Sequence, residues 1–227
     1  MRWLIPFALL ALISGCGNDS TGNAMAMPLK GLMAKLASGG GRPVVAPDPN
    51  DPAIKAGMLA FRAQLEADGQ PIILVSNEAL KYGTFHAPFG QNRDVRTWSS
   101  TSYQTIALRG GIMIATRGFG PDLMSAVAPT VAQIARGTGS TDRRYFYLDG
   151  ADQPQSHAFT CTLASGGSER IEVMAKPFAT RKVSESCSGP AGSFVNQYWF
   201  DHGLNIRQSS QYIAPGLSNF FMQGVVD

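Results

Sequence analysis

The apolar positions of the chain follow two different periods, and the change falls near residue 70. Before it, apolar residues recur at helical spacing behind Asp51 and Pro52, and the run ends at Gly69. Aspartate suits a helix N-cap, proline the first turn and glycine the position after the last turn. The spacing predicts an amphipathic helix that packs on a sheet. Its expected apolar face consists of Ile54, Met58, Leu59, Phe61 and Leu65.

Beyond residue 70, short apolar runs separated by turn-forming residues predict strands. The segment 129–136 is compatible with a short helix or with a loop. Turns are expected at 109–111, at 149–150, in the Gly- and Ser-rich stretch 164–169 and at 201–203. The predicted strands are 72–75, 103–108, 112–115, 144–148, 158–163, 170–175, 180–187, 194–200, 204–213 and 220–225.

Many short strands joined by turns favour an antiparallel barrel or sandwich. The chain contains 25 Gly and 14 Pro residues, which favours turns over long helices. The expected fold is therefore mainly β, a single antiparallel β-barrel- or sandwich-like domain over 52–227 with one N-terminal amphipathic helix.

The first residues of the chain have the pattern of an export signal. A positive start at Arg2 precedes an apolar run over 3–13 that only Pro6 interrupts, and small residues lead to Cys16. This order describes a secretory signal peptide. The run is too short for a transmembrane helix, which needs about 20 residues. We therefore expect residues 1–15 to be a signal peptide.

Small residues directly before Cys16 resemble the lipobox of bacterial lipoproteins. The resemblance implies cleavage before Cys16 and lipidation of this residue, the alternative being an ordinary signal peptide with a chance cysteine. Two or more acyl chains anchor a protein stably to a membrane. By resemblance to enterobacterial sorting, Gly17 favours the periplasmic face of the outer membrane. Residues 16–51 are then expected to form a flexible tether, in which 27–36 could be a short helix.

Net charge and cysteine content bear on nucleic-acid binding, disulfide formation and cofactors. The net charge of +3 falls to +2 when Arg2 is removed with the signal, so no nucleic-acid partner is expected. Cys161 and Cys187 remain in an oxidising compartment, which predicts a disulfide, with two free buried thiols as the alternative. The sequence has no CxxC pair or Cys/His cluster, so neither a metal nor a redox cofactor is expected.

The most distinctive internal stretch runs over 112–124, where an apolar strand ends in Thr-Arg and is followed by Gly-Phe-Gly and Asp-Leu-Met. Trp98-Ser99, the segment 196–199 (Asn-Gln-Tyr-Trp) and the segment 209–212 (Ser-Ser-Gln-Tyr) accompany it. Together with the lipobox, these motifs resemble the YjbF family of lipoproteins, of the GfcB type found in group-four capsule clusters. The resemblance covers roughly residue 54 to the C-terminus. It implies an outer-membrane lipoprotein with a β-barrel-like domain that assists exopolysaccharide or capsule export, with polysaccharide and export-machinery proteins as partners.

Candidate catalytic residues are present only as scattered residue types. The three histidines are His86, His157 and His202, and the sequence lacks the G-x-S-x-G motif of serine hydrolases. A glycosidase would need two carboxylates in one site. The acids available for that role are Asp122, Asp149, Asp152 and Asp201, and most of them fall at predicted turns, where aspartate is common. We therefore expect no catalytic residues, with a glycan-modifying hydrolase as the alternative.

The candidate binding residues are Trp98, Arg117, Asp122, Tyr198 and Trp199. Tyr103 and Tyr212 add further rings, and Asn196, Gln197 and Gln211 add amides, which together suit a glycan site. Ordinary core packing, and pairing of Arg117 with Asp122 across a turn, are the structural alternatives. An adaptor that contacts partner proteins through a sheet edge is a third possibility.

Overall fold

A computed structural model describes residues 51–227 of the chain. The predicted signal peptide, Cys16 and most of the predicted tether, including 27–36, lie outside the described residues. No helix in the described part is long and apolar enough to cross a membrane. The helices are α1 (Pro52–Ala67) and α2 (Val131–Ala135). The strands are β1 (Ile72–Asn77), β2 (Tyr82–Asn92), β3 (Val95–Ser99), β4 (Thr105–Arg109), β5 (Ile112–Arg117), β6 (Ser125–Val127), β7 (Ser140–Leu148), β8 (Pro154–Val173), β9 (Lys176–Gly189), β10 (Gly192–Phe200), β11 (Ile206–Ala214) and β12 (Ser218–Val226).

The strands form one twelve-stranded sheet in the order β5-β4-β3-β2-β1-β12-β11-β10-β9-β8-β7-β6. Every paired neighbour is antiparallel, and the sheet curls into a nearly closed barrel. At the seam, the Thr116 N–H donates to the Leu123 carbonyl over 2.8 Å, and the Met124 N–H donates to the Phe146 carbonyl over 2.9 Å. The prediction of a mainly β antiparallel fold with an N-terminal helix is confirmed, and the architecture is the barrel.

Helix α1 begins and ends where the sequence predicts. Asp51 Oδ1 accepts a hydrogen bond from the Ala53 N–H over 2.8 Å, and Gly69 follows the helix at a φ of 63°. The predicted apolar face is only partly correct, because Leu59 is 45% exposed while Leu65 is buried. Arg62 is buried instead, since its Nη1 reaches the Val173 carbonyl over 3.0 Å. The helix therefore packs on the outer face of the sheet with a mixed apolar and cationic surface.

The prediction of a turn at 164–169 is wrong, and so is the separate strand at 170–175. Strand β8 runs through this stretch without a break, and the turn lies at Met174-Ala175, between Val173 and Lys176. A bulge between Ser165 and Gly167 absorbs one extra residue while the strands stay paired. Gly167 has a φ of 81°, which glycine adopts at little cost. The Gly/Ser stretch thus forms a bulge.

The bulge also changes which face of the sheet a residue occupies. Before it, Leu163 packs inside the barrel with Val183 and Tyr198. After it, Ile171 packs with Leu65 beneath α1. One strand therefore supplies both the barrel interior and the outer layer.

Sequence patterning missed strands β2, β3 and β6. Strand β2 carries many exposed polar and small positions, and its pairing with β3 shifts at Pro88, where proline cannot donate to the ladder. Strand β6 has only three residues. Two other predicted strands began too early, because Tyr103 lies in a turn at a φ of 65° and β11 begins at Ile206 rather than at 204. The segment 129–136 contains α2, whose N-terminus has a capping box between Thr130 and Gln133.

The predicted disulfide is present. Cys161 and Cys187 are direct neighbours on β8 and β9, with Cα atoms 3.9 Å apart and both residues buried. Antiparallel register places both side chains on the inner face. The bond therefore joins the strands inside the barrel.

Burial of His86 predicts a loss of stability in mild acid. His86 on β2 is fully buried, with Nε2 3.3 Å from Tyr82 Oη. Burial lowers the pKa of His86 from 6.5 to about 4, only partly offset by the backbone at Thr84. Between these two pH values the imidazole of His86 binds a proton in the unfolded chain but not in the folded domain. The contribution of His86 to the free energy of unfolding is therefore complete above pH 6.5 and is lost as the pH falls towards 4. The loss should approach about 3 kcal/mol at the acid end of this window.

Urea titrations between pH 7.5 and 4 measure this dependence. The His86→Gln variant should show a flatter pH profile, whatever its absolute stability. The matched variant His202→Gln changes an exposed histidine and should keep the wild-type slope. An unchanged slope in His86→Gln would contradict the assignment.

Candidate functional site

A large opening of the described barrel lies at the end where the β2–β3, β4–β5 and β10–β11 turns meet the end of β12. We call it the barrel mouth. Its volume is about 630 Å³, within the range of small-molecule sites. The residues that line it include Ile73, Gln91, Asp94, Arg96, Trp98, Leu108, Gly111, Asn205, Ile206, Ser209, Met222, Gln223 and Asp227.

The floor of the mouth is apolar and the rim is polar. Ile73, Trp98, Leu108 and Met222 are buried members of the main core cluster, and each also lines the cavity. The exposed polar side chains lie above them on the turns and strand ends. Strand alternation explains this division, because residues that point inward near the end of a barrel face both the core and the opening. The exposed rim side chains are Gln91, Asp94, Arg96, Asn205 and Asp227.

Most charges around the mouth neutralise one another. Arg109 Nε lies 3.1 Å from Asp94 Oδ2. Arg207 Nε lies 2.7 Å from Asp201 Oδ2, and its Nη1 donates to Asp227 Oδ1 over 2.6 Å. Burial by itself would raise the pKa of Asp201, but hydrogen bonds from Asn205 and Arg207 bring this pKa below its ordinary value. These pairs fix the rim turns in place.

Arg96 is the rim cation that lies over the aromatic floor. Its guanidinium carbon is 5.6 Å from the centroid of the Trp98 ring. Its Nη2 reaches Gln91 Oε1 at 3.5 Å. Among the described residues no carboxylate lies within ion-pair distance of Arg96. A cation, an amide and an indole are thus adjacent at the opening.

Two features hold the β4–β5 hairpin against β11 under the mouth. Gly111 has a φ of 92°, and a Cβ there would lie 3.2 Å from Ile206 Cδ1, so the turn needs a residue without a side chain. The Gln211 amide binds the free edge of β5, because Oε1 accepts from the Met113 N–H over 2.9 Å and Nε2 donates to the Gly111 carbonyl over 2.8 Å. We call this pair of bonds the Gln211 clasp.

A second polar site lies deep inside the barrel and is closed to solvent. Arg143 Nη2 and Glu185 Oε2 are 2.8 Å apart, and both side chains are buried. Asn196 Nδ2 and Tyr198 Oη donate to the same carboxylate oxygen over 2.9 Å and 3.2 Å. Burial by itself would raise the pKa of Glu185, but Arg143 and the hydrogen bonds from Asn196 and Thr141 lower it. We call these four residues the buried ion-pair cluster.

The sequence analysis did not identify Arg143 or Glu185. The sequence did contain a sign that Arg143 is buried. On a strand every second residue lies on the same face, and this spacing places Arg143 on the face that carries Tyr145 and Tyr147. Charged residues on an inward face are rarely buried unless they are paired. Cys161, Glu185 and Cys187 also offer ligand atoms close together, but the two sulfur atoms are joined in a disulfide and cannot act as thiolates. Their arrangement does not suit a metal.

The structure separates the five predicted binding residues. Trp98 lines the barrel mouth, whereas Tyr198 belongs to the buried ion-pair cluster. Trp199 faces outward, where its Nε1 donates to Glu169 Oε2 over 2.9 Å and Lys182 Nζ lies 4.7 Å from its ring.

Arg117 and Asp122 lie at the opposite end of β5 from the mouth, and their predicted pairing is wrong. Asp122 Oδ1 accepts from the Thr116 hydroxyl over 2.9 Å, and Oδ2 accepts from the Gly118 N–H over 2.7 Å. Arg117 donates to the carbonyls of Leu123 and Met124 over 3.1 Å and 3.2 Å. Arg117 is satisfied by backbone carbonyls, and Asp122 by the Thr116 hydroxyl and a backbone N–H. The two side chains therefore stabilise the seam turn separately.

The other residues considered for chemistry are also dispersed. Asp149 Oδ1 accepts from the N–H groups of Ala151 and Gln153 over 2.9 Å each, which holds the β7–β8 turn and lowers the pKa of Asp149. Asp152 lies in that same turn, and Asp201 is paired with Arg207 at the other end of the barrel. Of the remaining aromatic candidates, Tyr103 is 73% exposed in the β3–β4 turn, and Tyr212 stacks on Phe194.

Comparison with known proteins places this barrel among exported lipoproteins. Residues 56–224 match the family described as "Group 4 capsule polysaccharide lipoprotein gfcB, YjbF". The chain therefore belongs to the YjbF family, as its motifs predict. No curated protein sequence matches it significantly.

Two solved structures match the chain. The hypothetical lipoprotein YmcC from Escherichia coli (K12) has a TM-score of 0.65 at 14% identity, covering 76% of this chain and 94% of that chain. A putative exported protein with a YmcC-like fold from Bacteroides fragilis has a TM-score of 0.36 at 10% identity, covering 69% and 93% respectively. The likeness to YmcC shows a shared fold.

Proposed function

We propose that this protein is a non-catalytic lipoprotein, anchored at the periplasmic face of the outer membrane, that assists the export of capsule or exopolysaccharide. The observation that carries the proposal is the family match over 56–224, whose description names both a lipoprotein and a capsule polysaccharide. The lipobox-like residues before Cys16 support the anchor.

The geometry supports a role without catalysis. The candidate acids Asp122, Asp149 and Asp201 each hold a turn through short hydrogen bonds, and Asp201 lies at the opposite end of the barrel from the other two. Asp122 and Asp149 both accept hydrogen bonds from backbone N–H groups of their own turns. A retaining or inverting glycosidase needs two carboxylates about 5–10 Å apart on one site. The buried Glu185 carboxylate is bonded to Arg143 and lies out of reach of a polymer. These acids stabilise the fold.

Replacement of Cys16 by serine tests the anchor. We expect the Cys16→Ser variant to leave the membrane fraction, because it lacks the thiol that would carry the lipid. Surface polysaccharide should then fall to the level of the gene deletion. Fractionation, intact-mass analysis and quantification of surface polysaccharide measure these outcomes.

The control is Ser14→Ala, which keeps the second residue before the cleavage site small and leaves Cys16 in place. It should retain the lipid mass and full export. Unaltered polysaccharide in the deletion strain would overturn the proposed export role. Turnover of the polysaccharide by the purified wild-type protein would overturn its non-catalytic part.

A further inference from the structure

We propose that the barrel mouth binds the exported polysaccharide directly, as a short stretch of sugar units lying over Trp98. This inference rests on the proposed export function and adds the site and its ligand class. Trp98 is the only one of the five predicted binding residues that reaches this opening in the described barrel.

The two surfaces of the mouth match the two surfaces of a sugar ring. A pyranose has apolar C–H faces and hydroxyl groups around its edge. The floor of the mouth is apolar, from Trp98, Leu108 and Met222, while the rim carries amide, guanidinium and carboxylate groups. Ligand sites of this kind combine an apolar surface with a few polar groups that set orientation. A sugar ring that packs against the indole once Arg96 has turned aside would bring its hydroxyls to the rim.

The rim groups nearest the indole are accessible. Gln91 and Arg96 are exposed, and their mutual contact of 3.5 Å is long for a hydrogen bond. Both can therefore turn towards a ligand at little energetic cost. Arg96 presents several N–H donors in a plane, which suits adjacent hydroxyls or a sugar carboxylate.

A sugar polymer fits the mouth better than an acyl chain does. An acyl chain would require an enclosed apolar cavity, but here the polar side chains of Gln91, Ser209 and Gln223 also line the space. The opening faces solvent at the strand ends, so a polymer can lie across it without threading into the barrel. The pairs Arg109–Asp94 and Arg207–Asp227 keep the rim turns in place before any ligand arrives. A preformed site loses less conformational entropy on binding.

The test compares two double variants of the full-length protein in lipid nanodiscs. Gln91→Ala/Arg96→Ala removes the exposed rim groups beside Trp98. Gln155→Ala/Arg144→Ala is the matched control, because it removes the same residue types from exposed positions outside the mouth. The probe is surface polysaccharide purified from cells that carry the gene and cut to oligosaccharides, with maltohexaose and oligogalacturonate as reference sugars. Isothermal titration measures affinity, and tryptophan emission reports contact with the floor.

We expect the wild type and the control to bind the purified oligosaccharides, and the rim variant to bind at least tenfold more weakly. The emission change should disappear in Trp98→Phe, which keeps most of the buried volume. Circular dichroism checks that each variant is folded. No binding by the wild type, or equal binding by both double variants, would overturn the inference.

An assay in cells distinguishes polysaccharide binding at the mouth from the proposed export function. If gene deletion lowers surface polysaccharide while the rim variant restores it fully, the mouth is not the site and the export role stands. If deletion itself has no effect, the proposed function fails. Reduced export with the rim variant and full export with the control supports both.

Discussion

Replacing Arg143 with methionine is expected to destabilise the domain by about 3–5 kcal/mol. The change leaves the Glu185 carboxylate buried without its cation, although the two groups lie 2.8 Å apart in the folded barrel. Removing one partner of a buried pair costs far more than the pair contributes, because the remaining charge stays out of water. Urea denaturation at pH 7 measures the loss.

Two further variants isolate the cause of this loss. Arg143→Met/Glu185→Leu removes both charges, so it should be clearly more stable than Arg143→Met alone. Arg109→Met breaks the partly exposed pair with Asp94 and should cost less than about 1 kcal/mol. Equal losses from Arg143→Met and Arg109→Met would contradict the desolvation argument.

Acid should weaken the wild type through the same cluster. The pKa of Glu185 is below its ordinary value of 4.5 in the folded barrel, despite its burial, because Arg143 stabilises the charged form. The contribution of Glu185 to stability is therefore complete above pH 4.5 and is lost as the pH falls through the lowered pKa. This loss begins at a lower pH than the loss caused by His86.

Removing the disulfide is the second large effect expected. The bond closes a loop across a sequence separation of 26 residues. In the chain-entropy model, a loop of this length contributes about 3–4 kcal/mol by restricting the unfolded chain. We expect Cys161→Ala/Cys187→Ala to lose this amount at pH 7.

Reduction provides an independent test of the disulfide. When dithiothreitol is present during urea unfolding, the wild type should have nearly the same free energy of unfolding as the double variant. Dithiothreitol should not change the free energy of unfolding of the double variant. Non-reducing peptide mapping should find the two cysteines joined in the wild type. A wild type that is insensitive to reduction would contradict the prediction.

Sequence patterning was most successful where local chemistry decides the structure. Asp51 and Pro52 set the start of α1, and the glycines at 110–111 set the β4–β5 turn, because caps and positive-φ turns depend on few neighbours. Patterning failed where pairing across the barrel decides. Strand β2 looks like a loop, and 164–169 looks like a turn, yet both stay in the ladder because neighbouring strands satisfy their backbone groups.

The candidate site also combines features that the local sequence predicts with features that depend on the fold. Trp98 was identified as an aromatic candidate, and it does reach the mouth. Arg96 lies two residues before Trp98 on the same strand, whereas Asn205 comes from the β10–β11 turn. The closing of the sheet brings Asn205 to the same end. The separate roles of Arg117 and Asp122 depend on backbone carbonyls and N–H groups of a loop, which residue types alone do not specify.

The Gln211 clasp has a consequence for how the barrel opens. Two strands joined by a full ladder of backbone hydrogen bonds separate only when many bonds break. The clasp instead holds the edge of β5 near Gly111 and Met113 through the two hydrogen bonds of one side chain. Thermal motion should therefore detach the edge of β5 from β11 before the rest of the sheet opens, while β4 stays paired with β3. Amide hydrogens of β5 would then exchange with solvent faster than those of β10, and the floor of the mouth would widen on the same timescale.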